Sequence, residues 1–564
     1  MQAPSASAGQ PLQQVPQRTE QQGPSLVPVT LDTEQPAANL PAGVMPRLVN
    51  WTPSSEGLTP RLGLRLIGPS TVSSARSVLG IGVVGTGYLH SFEDVDIGVA
   101  GSGISLGATV VGFSATSIAY WTGSYWSALT ISPTHAAQAT DYQGVALDSV
   151  NVYDPVSDLN AMVWTVGDAQ AGLGIWQGPN YASAPFYSIL TQNALAFLGA
   201  RAVGYFDTRV VVANVVSGVT RIPQRVVWSE RGSLYTYAEP TGGTEDLVSM
   251  RGGIVRIMDD DDRMVLVGDE EIWAGTKFNF PFDFQFQPLD RTIGTGDPRT
   301  VVRTPIGIMF QGYDYNVYLL PKGASKAQPV GNPVWPTIRA QQNAAPSRKD
   351  YSFAVYDAQR AQYTLFPTTL RGGSGNPFLG FSYNIHRGTW STSSFVPQLS
   401  HGVLVTRDAE AAAPTPPSVC YLTSVGTIAR AFDQTINVPS YGSISTTDLG
   451  SAFSASAFVP IGNPHPQQKL FVRDLLIDYS NASCPSGSSI TLAFSSDFGQ
   501  TIDKSVGVAL PFTQYSRQTV VNVGYSAIYP SVDVQYQSQV SGHFLRIQRL
   551  TALIEGVGQP GVGG

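Results

Sequence analysis

The stretch Val203-Gly204-Tyr205-Phe206-Asp207-Thr208-Arg209-Val210-Val211-Val212-Ala213-Asn214-Val215-Val216 decides the fold. Two runs rich in Val and aromatics flank Asp207-Thr208, and the pattern predicts two antiparallel strands joined by a tight turn. A further run at 225–229 follows. Working outward, the same cadence returns at 257–273 around a turn at 259–262, at 306–320 around 311–314, and at 351–366 around 357–360. Roughly 45–55 residues separate successive units, close to the ~40–50 of four-stranded propeller blades. Other short β-like runs lie at 78–84, 118–126 and 161–166, bounded by Gly, Pro, Asp or Asn. No unit carries a W-D or kelch fingerprint, so a stack of sandwiches is the competing architecture.

From 457 to 556 the alternation is cleaner, with strands expected at 471–479, 489–494, 517–523, 532–536 and 544–555. These suit an antiparallel sandwich. The expected fold is all-β: an extended or disordered arm over 1–47, a propeller of about six to eight blades over 48–440, a β-sandwich-like module over 441–556, and a Gly-rich tail over 557–564. The arm holds seven Gln in its first 22 residues and too little apolar surface to offset its ordering entropy.

Composition agrees with many short strands. The chain has 564 residues, of which 57 are Gly and 40 Pro, and 10% are aromatic. Only 13% are charged, about half the usual ~25%. A helical bundle, a coiled coil, a disordered chain and collagen are all excluded by these proportions. The 33 Lys and Arg against 40 Asp and Glu give a net charge of −7. That balance argues against gripping nucleic acid by phosphate neutralisation, though not against letting it slide past. Two cysteines, Cys420 and Cys484, read as free thiols of a reducing compartment. Residues 1–30 lack the basic and apolar regions of a signal peptide, and no run of 18 apolar residues predicts a membrane span. The sequons at Asn50 and Asn481 then read as chance matches.

Several motifs have a plainer structural reading. Gly80-Ile81-Gly82-Val83-Val84-Gly85 fits G-x-G-x-x-G, but no helical pattern follows to receive a pyrophosphate, so a Gly-rich strand is expected. Asp259, Asp260, Asp261 and Asp262 could offer oxygen ligands to a divalent cation, yet their side chains alternate in direction and a solvated hairpin turn is expected. Ser495, Asp497, Gly499 and Thr501 spell S-x-D-x-G-x-T, which resembles the Asp-box turn of sialidase propellers, with Ile502 where Trp is usual. A structural turn is the reading there. The six His are scattered without metal-ligand spacing, and no G-x-S-x-G elbow or P-loop appears. Aromatics such as Tyr120-Trp121, Tyr125-Trp126 and 278–286 could form a glycan platform, but packing between blades is the commoner use.

Three stretches together resemble the tail nozzle proteins of short-tailed bacteriophages, also called packaged-DNA stabilisation protein or tail tubular protein B. The first is 203–228 with Arg225-Val226-Val227-Trp228-Ser229 at its end. The second is 257–320, with Val267-Gly268-Asp269-Glu270-Glu271-Ile272-Trp273, Phe280-Pro281-Phe282, Ile293-Gly294-Thr295-Gly296 and Ile306-Gly307-Ile308-Met309-Phe310. The third is 468–550, with 471–479, Ser496-Asp497-Phe498-Gly499-Gln500-Thr501 and His543-Phe544-Leu545-Arg546-Ile547. The likeness runs from about 200 to 550 and is one of pattern. The family's Trp after the C-terminal turn and its richer Arg content there are missing.

The resemblance implies a structural, non-enzymatic virion protein without cofactor, assembled in the host cytoplasm. Its partners would be five further copies of itself in a hexamer, the head–tail connector or adaptor, and tail fibre or needle proteins. Phage DNA would pass through the channel without specific binding. An anionic lumen would repel phosphates, and Glu245, Asp246, Asp259, Asp260, Asp261, Asp262, Asp269, Glu270 and Glu271 are the candidate lumen or loop residues. The alternative is a receptor-binding or tail-fibre-like virion protein that recognises a cell-surface glycan. A propeller glycosidase would need paired carboxylates at ~5–9.5 Å, which the sequence does not assign.

Overall fold

The computed structural model describes residues 30–33, 44–54, 57–60, 64–66, 88–92, 109–113, 118–121, 126–131, 148–154, 159–165, 172–178, 186–190, 197–237, 242–278, 283–343, 352–367, 378–395, 399–405, 418–423, 428–431, 454–461, 469–481, 488–497, 501–511, 513–537 and 545–556. Residues 1–29, the Gly-rich segment 80–85, Cys484 and the tail 557–564 lie outside them.

The described strands form a β-propeller joined to a β-sandwich. Seven blades follow one another among the described residues, running over 88–131, 148–190, 199–246, 254–290, 302–329, 353–395 and 399–431, the first two joined into one eight-stranded sheet by the parallel pairing of Trp126–Ile131 with Phe186–Leu190 and the last contributing three strands of its own. The first strand of each blade is innermost. Those of blades 2, 3 and 4 (Asp148–Asp154, Gly199–Phe206, Ile254–Asp260) pack in succession, and that of blade 7 (Leu399–Val405) packs against Tyr88–Phe92 of blade 1, closing the ring. Blade 7 borrows its outermost strand, Leu64–Leu66, from the N-terminal side of the propeller.

Local chemistry makes these blades. In blade 3 five of the nine residues of strand Arg209–Ser217 are Val, and the strand is buried on both faces over its first seven residues, as a strand between two packed layers must be. Asp207 and Thr208 both take positive φ (50° and 59°) and supply the tight turn that a twisted hairpin requires. In blade 2, a Cβ on Gly174 would lie 2.1 Å from the ring of the buried Trp164, so only glycine admits that ring.

The sandwich has two sheets. One holds Ser454–Pro460, Ser531–Gln537, Ser488–Ser495 and Lys504–Leu510; the other holds Thr513–Ala527, Leu470–Asn481, Arg546–Gly556, Gly57–Pro60 and Trp51–Ser54. Residues 51–60 therefore belong to the sandwich and 64–66 to blade 7, where the sequence placed them at the start of the propeller. Likewise the described part of the expected arm is ordered. Strand Arg47–Val49 pairs with Thr389–Phe395 of blade 6 on one side and Ser454–Pro460 of the sandwich on the other. One nine-stranded sheet thus crosses from propeller to sandwich, and one apolar core spans both. These pairings are non-local, so no short-range pattern announces them. Among the described residues no helix is long and apolar enough to cross a membrane.

Candidate functional site: charged seams of the propeller

Asp148 opens the inner strand of blade 2 and is 1% exposed. Its Oδ2 accepts a hydrogen bond from the Val203 N–H of blade 3 at 3.0 Å, and its Oδ1 accepts from the Ser149 N–H at 2.8 Å and from Arg256 Nη1 of blade 4. One carboxylate therefore ties the first strands of three successive blades. Burial pushes its pKa up to about 6, against the opposing pull of Arg256 and the two backbone donors. Neither residue belongs to a motif in the sequence. The available signal was a lone charge inside an apolar run, Ile254-Val255-Arg256-Ile257-Met258.

The first-turn ends of the blades carry a second set of charges. Asp259 and Asp261 of blade 4 both accept from Arg303 of blade 5, and Asp261 accepts from Lys322 at 2.9 Å. Asp260, buried, accepts from Arg263 at 2.9 Å and from the Gly323 N–H at 3.3 Å. The hydrogen bond from Lys322 holds the Asp261 carboxyl below its usual range, whereas burial raises that of Asp259 despite Arg303. The seam between blades 3 and 4 repeats the plan. Asp207 pairs with Arg231 and Lys277, while Asp283 accepts from Arg209 at 2.9 Å and from Trp228 Nε1 at 2.9 Å. Burial works to raise the Asp207 pKa, but its bonds to Lys277 and Arg231 outweigh it and hold the group low.

The nine acidic residues singled out in the sequence do not converge. Glu245 and Asp246 sit on the exposed outermost strand of blade 3, where Asp246 forms a two-point pair with Arg225 at 2.6 and 2.7 Å. Asp259, Asp260, Asp261 and Asp262 occupy one end of blade 4. Asp269, Glu270 and Glu271 occupy the other end, because the strand Arg263–Gly268 between them runs about 20 Å. Asp269 Oδ1 accepts from the Gly253 N–H at 2.7 Å, and Glu271 is fully buried. Among the described residues no three His, Cys, Asp or Glu could hold a metal ion. The quartet at 259–262 forms the turn expected of it, but three of its carboxylates are bonded to cations rather than simply solvated.

In the sandwich, Asp497 closes its turn. Its carboxylate accepts from the Thr501 N–H at 2.9 Å, from Thr501 Oγ1 at 2.5 Å and from Ser495 Oγ at 2.5 Å. Gly499 lies outside the described residues. Asn50, the Asn of the first sequon, is 1% exposed and takes φ of 59°. Its Nδ2 donates to the Ser454 carbonyl at 2.6 Å, its Oδ1 accepts from the Ser394 N–H at 2.6 Å, and its own N–H donates to the Thr392 carbonyl at 2.8 Å.

No known family matches the sequence, and no curated protein does. Solved structures similar to the chain include an exo-β-1,3-galactanase from Phanerochaete chrysosporium with galactose (10% identity, 84% of this chain and 95% of that one, TM-score 0.20). They also include a glycoside hydrolase family 43 arabinoxylan arabinofuranohydrolase from Bacillus subtilis with cellotetraose (10%, 83% and 93%, 0.25). A third is BamB from Moraxella catarrhalis (11%, 62% and 98%, 0.32). The expectation that the chain is not an enzyme is corrected by these neighbours: glycoside hydrolases stand among them, so the non-enzymatic assignment is withdrawn. At these TM-scores the likeness assigns no activity to this chain.

Proposed function

We propose that the chain is a structural subunit of a phage tail nozzle, forming a ring-shaped tube below the head–tail connector that retains packaged DNA and conducts it during ejection. The observation that supports this reading is the sheet that runs unbroken from blade 6 through Arg47–Val49 into the sandwich. A tube wall under internal pressure must transmit load without hinging, and a main-chain ladder across the domain boundary does that. Loose domain interfaces, by contrast, permit relative motion. The partners are further copies of the chain in a hexamer, the connector, and fibre or needle proteins, with DNA passing through the lumen. A heterologous contact whose rotation closes makes such a ring.

Light scattering of the purified protein, alone and with connector rings, tests the proposal together with negative-stain images. A six-fold ring with a central channel is the expected result. A chain that stays monomeric under both conditions overturns it.

A further inference from the structure

The end of blade 4 opposite the acidic turn carries two arginines whose donors are mostly unspent. Arg251 and Arg291 flank the buried Glu271. Arg251 Nε lies 3.8 Å from Oε1 and Arg291 Nε 3.9 Å from Oε2, within ion-pair range but beyond hydrogen bonding. The Glu271 carboxylate is 0% exposed, and its Oε1 accepts from the Arg251 backbone N–H. Its Oε2 accepts no hydrogen bond among the described residues.

Each guanidinium is nevertheless held in place. Arg251 donates through Nη2 to the Arg291 carbonyl, and the Arg291 guanidinium carbon lies 5.9 Å from the centre of the Trp273 ring. The two side chains are 59% and 54% exposed. Other arginines of these blades behave differently. Arg209, Arg225 and Arg263 each donate to a carboxylate oxygen within 2.9 Å. Here two cations flank one buried anion at ion-pair range without bonding to it through the side chain, which leaves N–H groups free to donate outward, while Asp269 and Glu270 on the same loop carry opposing charge. A guanidinium carries five donors in a planar fork that matches a phosphate.

We propose that Arg251 and Arg291 form a binding site for a phosphate oxyanion, free or within a nucleic-acid backbone. Glu271 is a positioning residue: it draws both guanidiniums together without using their outward donors. Glu270, exposed on the same loop, opposes the bound anion. The site is independent of the nozzle reading and stands or falls separately from it.

The test uses the full chain. Calorimetric titration with inorganic phosphate, at ionic strength held constant with chloride, is paired with anisotropy of a labelled double-stranded oligonucleotide at low salt. Saturable phosphate binding is expected, weakened about tenfold or more in Arg291→Gln. Arg291 donates no side-chain hydrogen bond among the described residues, Arg251 still faces Glu271 in this variant, and an unchanged circular-dichroism spectrum at the titration temperature is required of it so that lost binding is not lost fold. Arg291→Lys restores part of the affinity, Glu270→Gln tightens binding, and Arg225→Gln changes it by less than about twofold. Phosphate binding without oligonucleotide binding identifies a free anion as the ligand. Oligonucleotide binding that also depends on Arg291 identifies the nucleic-acid backbone. Absence of saturable binding of either probe by the wild-type chain, or equal binding by Arg291→Gln, overturns the proposal.

Discussion

Blade 6 and blade 4 meet their neighbours by different means. Blade 6 joins the sandwich through backbone: Arg47–Val49 lies between the two, and Asn50 extends the bridge with hydrogen bonds to Thr392, Ser394 and Ser454. Blade 4 packs on blades 3 and 5 through apolar side chains and adds side-chain charge pairs to blades 2, 3 and 5, at Asp148–Arg256, Asp283–Arg209 and Asp259–Arg303. A backbone ladder is indifferent to pH and salt over ordinary ranges, whereas ion pairs answer to both according to their burial. The propeller's charged seams and its sandwich seam should therefore separate under perturbation.

The largest expected effect is at Asn50. Asn50→Ala strands the buried partners of its side chain and places Ala at positive φ, for a loss of about 3 kcal/mol in urea unfolding. Asn50→Gly removes the same hydrogen bonds without the backbone strain and should recover roughly 1 kcal/mol of that loss. A loss below about 1 kcal/mol in Asn50→Ala would break the claim that this residue knits the two domains.

Asp533 is the charged member of the same seam. It accepts from Arg47 at 2.7 Å, Ser456 at 2.7 Å and Gln535 at 2.8 Å, and its side chain is 6% exposed. Arg47 is half exposed, which softens the cost of parting them. Asp533→Ala is expected to lose about 2 kcal/mol. If added salt were to restore the variant to wild-type stability, the seam would depend on charge after all and the contrast with blade 4 would fail.

Asp148 gives the charged seams their pH signature. Its folded pKa, about 6, is above the ordinary 3.8, so the native state binds the extra proton between those values. Stability from this group is then full below the unfolded pKa and is lost as pH rises through the folded one. Asp148→Asn keeps an acceptor for the Val203 N–H and cannot ionise. Between about pH 4 and about pH 7.5, wild type should lose on the order of 2 kcal/mol relative to this variant. A constant difference across that range would remove the desolvated carboxylate from the account.

The sequence made the strand cadence legible because each blade is local. The runs around Asp207-Thr208 and 259–262 are hairpins whose partners lie within a few residues. The C-terminal strands were equally clear, since alternation marks a half-buried sheet. What stayed hidden is non-local. Trp51–Ser54 and Gly57–Pro60 form a local hairpin, yet Arg47–Val49 and Leu58 pair with strands more than 300 residues away. The acidic quartet looked like a solvated turn because Arg303 and Lys322, which neutralise it, lie one blade further on. Arg251 and Arg291 are separated by 40 residues and meet through the bond from Arg251 to the Arg291 carbonyl, with Glu271 buried between them.

Arg303 supplies the smallest effect and the sharpest control. It spans two acids of the turn, Asp259 and Asp261, but its side chain is 40% exposed and theirs are 40% and 56%. Exposed pairs of this kind gain little, because water screens them and ordering two long side chains costs entropy. Arg303→Gln should therefore lower the melting temperature less than either Asn50 variant at low salt. At about 0.5 M salt, where screening acts within a few Å, the difference from wild type should vanish. The same salt should leave the Asn50→Ala deficit unchanged, since no charge is involved there. A salt response at Asn50, or a large salt-resistant loss at Arg303, would reverse the assignment of backbone to one seam and charge to the other.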